Sequence, residues 1–462
     1  MRAWSFTALS SASRAAPLAV LALSLAGCSW SRFDDETDNA PIVLLEKPGS
    51  MKQGFGVSVA TANNDANGPD AVEVLVGGGV GVSRAAQFDI GSGESPSTTN
   101  VDTGFCSGDS PCYLSSSLVG FANATGPDRV HSLCFAVGAG TSDTQGVLVR
   151  CKDTAEYALE MPKDANAALT FALQNSQPDN FPLAGDRTDN PSLLASSPTA
   201  RAAWFYPAQS TKFSELAVPK GLPIDDDSFG VSLAVLSMGD NLGDGRIYAL
   251  GVPNKNEVLL WKSDGGSASS YIGCLGGIPG FGRALAGGKV NSDAFADLVI
   301  SDDINVHVID GAALFALPET DSPDCSFGSL PPGALIDSFG CGTNKSLSGC
   351  ADSEFGAALA VGDLDGDGDG EVIVGAPNMK VRDNDQAGAL LVYDAESSTD
   401  SSFVDAKFIA SADQGDQLGR TLATPSIAGR DIILAGAPGN GKAALFYCSA
   451  LLPAGAAGSR CP

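Results

Sequence analysis

Histidine is nearly missing from this chain: His131 and His307 are its 2 imidazoles in 462 residues. Such scarcity excludes histidine-rich metal centres, and no HExxH, GxSxG or CxxC arrangement occurs that would mark a zinc protease, a serine hydrolase turn or a dithiol redox site. Basic charge is also short, with 27 Lys and Arg against 54 Asp and Glu, a net of −27. An acidic surface of that size repels nucleic acid and anionic membrane faces and attracts cations. Long apolar runs are lacking too, since the stretch from Ala16 to Gly27 is too short to span a bilayer. No helical period of useful length is present. His307 lies in NVHVID, where alternation sets it opposite Val306 and Val308, and it reads as a packed strand residue; His131, after GPDRV, reads as a surface loop group.

What is present begins with export. Arg2 and Arg14 precede the apolar run APLAVLALSLAG, the pattern of a signal peptide over residues 1–27. The run closes in Leu25-Ala26-Gly27-Cys28, which resembles the lipobox of bacterial lipoproteins. That resemblance implies acylation of Cys28, each buried methylene of an acyl chain contributing about 0.8 kcal/mol to membrane anchoring. With Ser29 next, it also implies the outer membrane or cell surface. Residues 28–39, with SRFDDETDN, have linker composition. The other cysteines fall in sequence-local couples: Cys106 with Cys112, Cys134 with Cys151, Cys274 with Cys325, Cys341 with Cys350, and Cys448 with Cys461. Disulfides between neighbours are the expectation in an oxidising compartment, although spacing leaves connectivity open.

From residue 40 to 462 the chain repeats itself. Four segments start with Phe-Gly and run into a β-branched strand: GFGVSVATANNDANGPDAVEVLVGG from Gly54, SFGVSLAVLSMGDNLGDGRIYALGVP from Ser228, GFGRALAGGKVNSDAFADLVISDD from Gly280 and EFGAALAVGDLDGDGDGEVIVGAP from Glu354. QLGRTLATPSIAGRDIILAGAP, from Gln417, has Leu for Phe, and two further copies have lost Phe-Gly. Short strands with small residues at their ends and turn residues between are what radially packed four-stranded sheets require. Phe-Gly, an acidic loop and Gly-Ala-Pro together resemble the FG-GAP repeats of integrin α-subunits and bacterial surface proteins. The resemblance implies an all-β fold, a seven-bladed β-propeller of four-stranded antiparallel blades with Phe packed between blades. The last copy lacks an outer strand, and Ile42 to Leu45 stand ahead of the first Phe-Gly with no blade before them. An N-terminal strand is therefore expected to close the ring.

In GDLDGDGDGE, Asp363, Asp365, Asp367 and Glu371 hold positions 1, 3, 5 and 9 of a nine-residue loop, and Asp369 at position 7 can offer its carbonyl. Alternate oxygens around a tight turn suit calcium, Ca2+, a hard cation that takes six to eight of them. An EF-hand is excluded because its position 12 is here Val374. A carboxylate set in a hairpin turn reads as structural rather than catalytic, and solvated-turn behaviour is the competing reading. The Gly280 copy keeps Asn291, Asp293 and Asp297 but has Lys289 at position 1, a degenerate site; Asn63, Asp65 and Asn67 of the first copy form a weaker one, and Asp240 and Asp244 miss the register. GAPGNGK, Gly436 to Lys442, mimics a phosphate loop but continues with Ala443 where a hydroxyl is needed.

No catalytic residue or cofactor besides calcium is assigned. The function expected is a non-enzymatic, membrane-anchored propeller binding a protein or glycan partner, in adhesion or envelope interactions, through loops that include the insertions Glu94 to Ser116 and Asp321 to Asp352. An enzyme cleaving polysaccharide or a phospho-ester, and an outer-membrane assembly scaffold, are the alternatives.

Overall fold

Why the strands of this chain are apolar on both faces is plain in Glu371–Ala376: Val372 and Val374 pack to one side and Ile373 to the other. The computed structural model describes residues 31–32, 42–46, 55–63, 71–77, 84–91, 97–102, 113–125, 130–140, 145–151, 157–160, 170–173, 192–198, 200–207, 210–219, 222, 228–238, 245–321, 325, 330–341, 350, 352–364, 367–395, 403–411, 413–427 and 430–446. Among them are seven main sheets, each with four antiparallel strands, one of which gains Ser31–Arg32 as a fifth, parallel strand; a separate two-stranded sheet pairs Ser426–Ile427 with Arg430–Asp431. The first strands of the seven are Ser58–Asn63, Tyr113–Thr125, Thr170–Leu173, Ser232–Ser237, Leu285–Gly288, Ala358–Gly362 and Thr421–Ala423. Six sheets add their remaining strands in chain order; the seventh takes its fourth from Ile42–Glu46, which pairs with Lys442–Phe446. Each first strand touches the next, and Thr421–Ala423 touches Ser58–Asn63.

The Phe-Gly pairs explain the stacking. Phe55, Phe229, Phe281, Phe355 and Leu418 are all buried, each in a cluster shared by its own sheet and the preceding one. The cluster around Phe55 joins Val59, Val74 and Val76 of the first sheet to Leu434 and Leu445 of the seventh. Burying one such side chain stabilises by about 1.5–3 kcal/mol. Gly356 turns the chain into its strand at φ +81, donating its N–H to the Gly375 carbonyl at 3.0 Å. The same bond joins Gly56 to Gly77, Gly230 to Gly251, Gly282 to Ser301 and Gly419 to Gly436.

Two disulfides are formed among the described residues, Cys274–Cys325 and Cys341–Cys350, both within the sequence-local couples expected. Cys134 and Cys151 are backbone partners in register on neighbouring strands. Residues 1–27, Cys28 and the couples Cys106 with Cys112 and Cys448 with Cys461 lie outside the described residues.

Two readings need correcting. His131 lies in the strand Val130–Gly140, paired with Ala124, because the hairpin continues past the turn signal GPD that suggested a loop. Ser31–Arg32, expected within a linker, pairs in parallel with Ile409 and Ala410, where the edge of the sixth sheet offers unpaired backbone groups. One short helix, Gly311–Phe315, follows the third strand of the fifth sheet, its first turn capped by Asp310 accepting from the N–H groups of Ala312 and Ala313.

Candidate metal-binding loop

The turn from Asp363 to Glu371 joins the first two strands of the sixth sheet. Asp363 follows Gly362, the last residue of the first strand, and Glu371 opens the second. Asp363 Oδ1 accepts the N–H of Asp367 at 3.1 Å and Oδ2 that of Gly368 at 3.0 Å, which winds the loop around this carboxylate. Asp367 Oδ1 accepts the N–H of Asp369 at 3.0 Å, and Glu371 Oε2 that of Leu364 at 2.6 Å. Asp365 lies outside the described residues.

Both neighbouring sheets reach this loop. Lys289 of the fifth sheet donates its ammonium to the Gly368 carbonyl at 2.9 Å, stands 4.0 Å from Asp369 Oδ1, and accepts the Gly370 N–H at 2.7 Å through its own carbonyl. From the two-stranded hairpin between the first two strands of the seventh sheet, Asp431 Oδ2 accepts the N–H of Asp363 at 3.0 Å while its own N–H donates to the Asp363 carbonyl at 3.0 Å. Burial pushes the Asp369 carboxyl up, Lys289 opposes that, and the carboxylates of Asp367, Asp363 and Asp293 push it further. The loop thus concentrates negative charge that one ammonium only partly offsets.

Oxygen donors alone on alternate residues fit a hard cation in kind, since a carboxylate oxygen that accepts one N–H keeps a further lone pair. Among the described residues, however, no three His, Cys, Asp or Glu side chains converge into a metal-holding group. In the fifth sheet the equivalent loop is closed by protein donors. Asn291 Oδ1 and Asp293 Oδ1 accept the N–H groups of Asp293 and Phe295, at 2.9 and 2.7 Å. Asp297 is fully buried, its oxygens taking the N–H groups of Val290 at 2.9 Å and Gly311 at 2.8 Å, and burial pushes its carboxyl up to about 7. Asp65, Asn67, Asp240 and Asp244 lie outside the described residues.

The mimic of a phosphate loop is occupied by an ion pair. Lys442 Nζ lies 2.7 Å from Asp413 Oδ2 and 3.4 Å from Asp416 Oδ2, so its charge is paired with two carboxylates of the same chain.

Residues 355–393 match the family model described as FG-GAP repeat. The sixth sheet carries an FG-GAP repeat. The match takes in the Phe355-Gly356 turn, the acidic loop and Gly375-Ala376-Pro377. The Phe-Gly turns of the first, fourth and fifth sheets repeat the same glycine bond outside the matched FG-GAP stretch. No curated protein matches the chain. Among solved structures it is similar to the six-bladed β-propeller lectin of Aleuria aurantia, a fungal lectin that recognises fucose. The identity is 10%, the TM-score 0.38, and the likeness covers 77% of this chain and 97% of the lectin.

Sequence reading singled out Asp363, Asp367, Asp369 and Glu371, and the fold brings them into one turn. It missed the reach of Lys289 and Asp431 into that turn. Lys289 at position 1 of one loop was the available signal, because a cation beside carboxylates in its own repeat can equally serve those of the next.

Proposed function

We propose that the seven sheets are the blades of a single β-propeller closed by Ile42–Glu46, and that it binds a protein or glycan partner through its loops without catalysing a reaction. The observation that carries this reading is the pinning of the long insertion after the fifth sheet's third strand. Cys325 ties it back to Cys274 in the outer strand of the fourth sheet, and Cys341–Cys350 closes the connection into the sixth. A loop stiffened before it meets a partner loses less entropy on binding. Acylation of Cys28 would hold the propeller at a bacterial envelope membrane. Calcium, held by Asp363, Asp365, Asp367 and Glu371 with a carbonyl from Asp369, would neutralise the acidic turn and fix it.

The test is binding of the purified chain to arrayed envelope glycans and to extracted envelope proteins, before and after reduction of the disulfides. Saturable binding that weakens on reduction supports the reading. Consumption of a glycan or phospho-ester substrate, or binding indifferent to reduction, would overturn it.

A further inference from the structure

The fifth sheet carries a hydrogen-bonded line of three side chains outside the acidic loop. Asp302, fully buried, stands at the turn after the strand Asp297–Ser301. Its Oδ1 accepts the N–H groups of Ile304 and Asn305, each at 2.6 Å; its Oδ2 lies 2.8 Å from His307 Nε2 and also accepts Asn305 Nδ2 at 3.3 Å. His307, 5% exposed, sits on Asn305–Ile309 with its ring 5.6 Å from that of Phe281. Directly across the ladder, on the outer strand Leu335–Gly340, is Ser338. Ser338 is an exposed residue, and its Oγ lies 2.9 Å from His307 Nδ1.

The direction of these bonds follows from chemistry. Ionised, Asp302 only accepts, so the proton between it and His307 sits on Nε2. In the neutral ring Nδ1 is then an acceptor, and the hydroxyl of Ser338 is the donor. The hydroxyl of an exposed residue donating to an imidazole that is itself oriented by a buried carboxylate is the arrangement of an activated serine. The two ring nitrogens are exchanged relative to the serine protease template, which leaves the relay intact.

We propose that Ser338 is a base-activated nucleophile and the site of covalent modification by acyl or phosphonyl donors. In that step the Ser338 Oγ bond to the carbonyl carbon or phosphorus forms, and the bond to the leaving group breaks with its electron pair. The hydroxyl proton passes to His307 Nδ1 and then to the leaving group or solvent, with no change of oxidation state. The inference stops at modification, short of turnover, for a geometric reason. The N–H of Ser338 already donates to Asp337 Oδ1 at 2.7 Å, so the nucleophile's own amide is engaged and does not serve a developing oxyanion.

The experiment treats the full chain with a fluorophosphonate and maps the modified peptides by mass. Ser210, whose hydroxyl donates to the Lys212 carbonyl, is the internal reference. The expected result is modification of Ser338 about 10²-fold faster than of Ser210, the scale of a positioned general base. Ser338→Ala should abolish that signal, and His307→Gln should slow it by a similar factor while a melting curve reports whether the chain still folds. Because His307→Gln removes a buried group, the ratio of the two serines in the unmutated protein decides. Equal rates at Ser338 and Ser210, or no modification of Ser338, would overturn the proposal and leave the three residues as a structural tie between strands.

Discussion

Thr421 donates its hydroxyl to the carbonyl of Gly56 at 3.0 Å, across 365 residues of sequence. The same carbonyl comes so close to Gly436 that a Cβ there would lie 2.1 Å from it. A Cβ added at Gly251 would likewise strike the Gly282 carbonyl, and one at Gly375 the Gly419 carbonyl, both between sheets adjacent in sequence. The seventh sheet therefore meets the first through the contact that joins the fourth to the fifth and the sixth to the seventh.

Gly436→Ala is expected to destabilise the protein by about 1–3 kcal/mol or more, because the opposing atom is backbone and cannot move aside. Gly375→Ala should cost a similar amount if the two junctions are alike. Denaturant unfolding of both variants checks this. A deficit at Gly375 alone would show that the seventh sheet and the first are not held together in solution.

Phe355→Ala should cost about 3–5 kcal/mol, since it empties a closely packed site between the fifth and sixth sheets. Phe355→Leu should cost much less, given that Leu418 fills the matching position of the seventh repeat. Equilibrium unfolding reads the difference directly.

Calcium should raise the melting temperature of the wild type and leave that of an Asp365→Ala, Asp367→Ala double variant unchanged. Lys289→Met makes a sharper case. Without its ammonium the acidic loop loses its protein cation, so stability in chelator should fall while calcium affinity rises. Calorimetric titration tests the second half; unchanged affinity would remove Lys289 from the electrostatics of the site.

The pH dependence has two opposed parts. Burial holds the Asp297 carboxyl up at about 7, well above its unfolded value, so the folded state keeps that proton longer. Its contribution is fully present below about pH 4 and is lost as pH rises towards 7. Asp302 behaves the other way. Burial raises its carboxyl, but the bonds from His307, Ile304 and Asn305 together outweigh it, and the group is lowered. Its stabilisation is present above the unfolded carboxylate range and is lost as pH falls through the folded value. Melting curves between pH 3 and 8 should lose the decline between pH 4 and 7 in Asp297→Asn, and lose part of the acid limb in Asp302→Asn.

Reduction of Cys274–Cys325 should lower the melting temperature, because the bridge closes a span of 51 residues and so restricts the unfolded chain. The chain-entropy scale puts the upper end near 4 kcal/mol. The Cys274→Ser, Cys325→Ser pair measures it.

Much of the strand framework was legible in advance, because each repeat carries its own period. Short β-branched runs bounded by glycine announce strands buried on both faces, Phe-Gly or Leu-Gly precedes the first strand of five sheets, and Ile42 to Leu45 stood out as an apolar strand without a blade. The acidic loop was equally visible, since Asp363 to Glu371 lie on one turn and alternate by composition alone. Where composition misled, the cause was local: the Gly-Pro-Asp before His131 signals a turn but not how soon the strand resumes, and linker composition at Ser31 and Arg32 says nothing about which edge is open.

By itself, then, the sequence determined the repeat unit, most strands within each repeat and the residues of the candidate loop, all properties local to a repeat. Only the tertiary structure decided which charges and hydroxyls meet: Lys289 beside Gly368, Asp431 on Asp363, Ser338 on His307, Thr421 on Gly56. The physical reason is that hydrogen bonds and ion pairs act over a few ångströms. Which groups come within that range depends on how the sheets stack and pair, and no spacing along the chain encodes it.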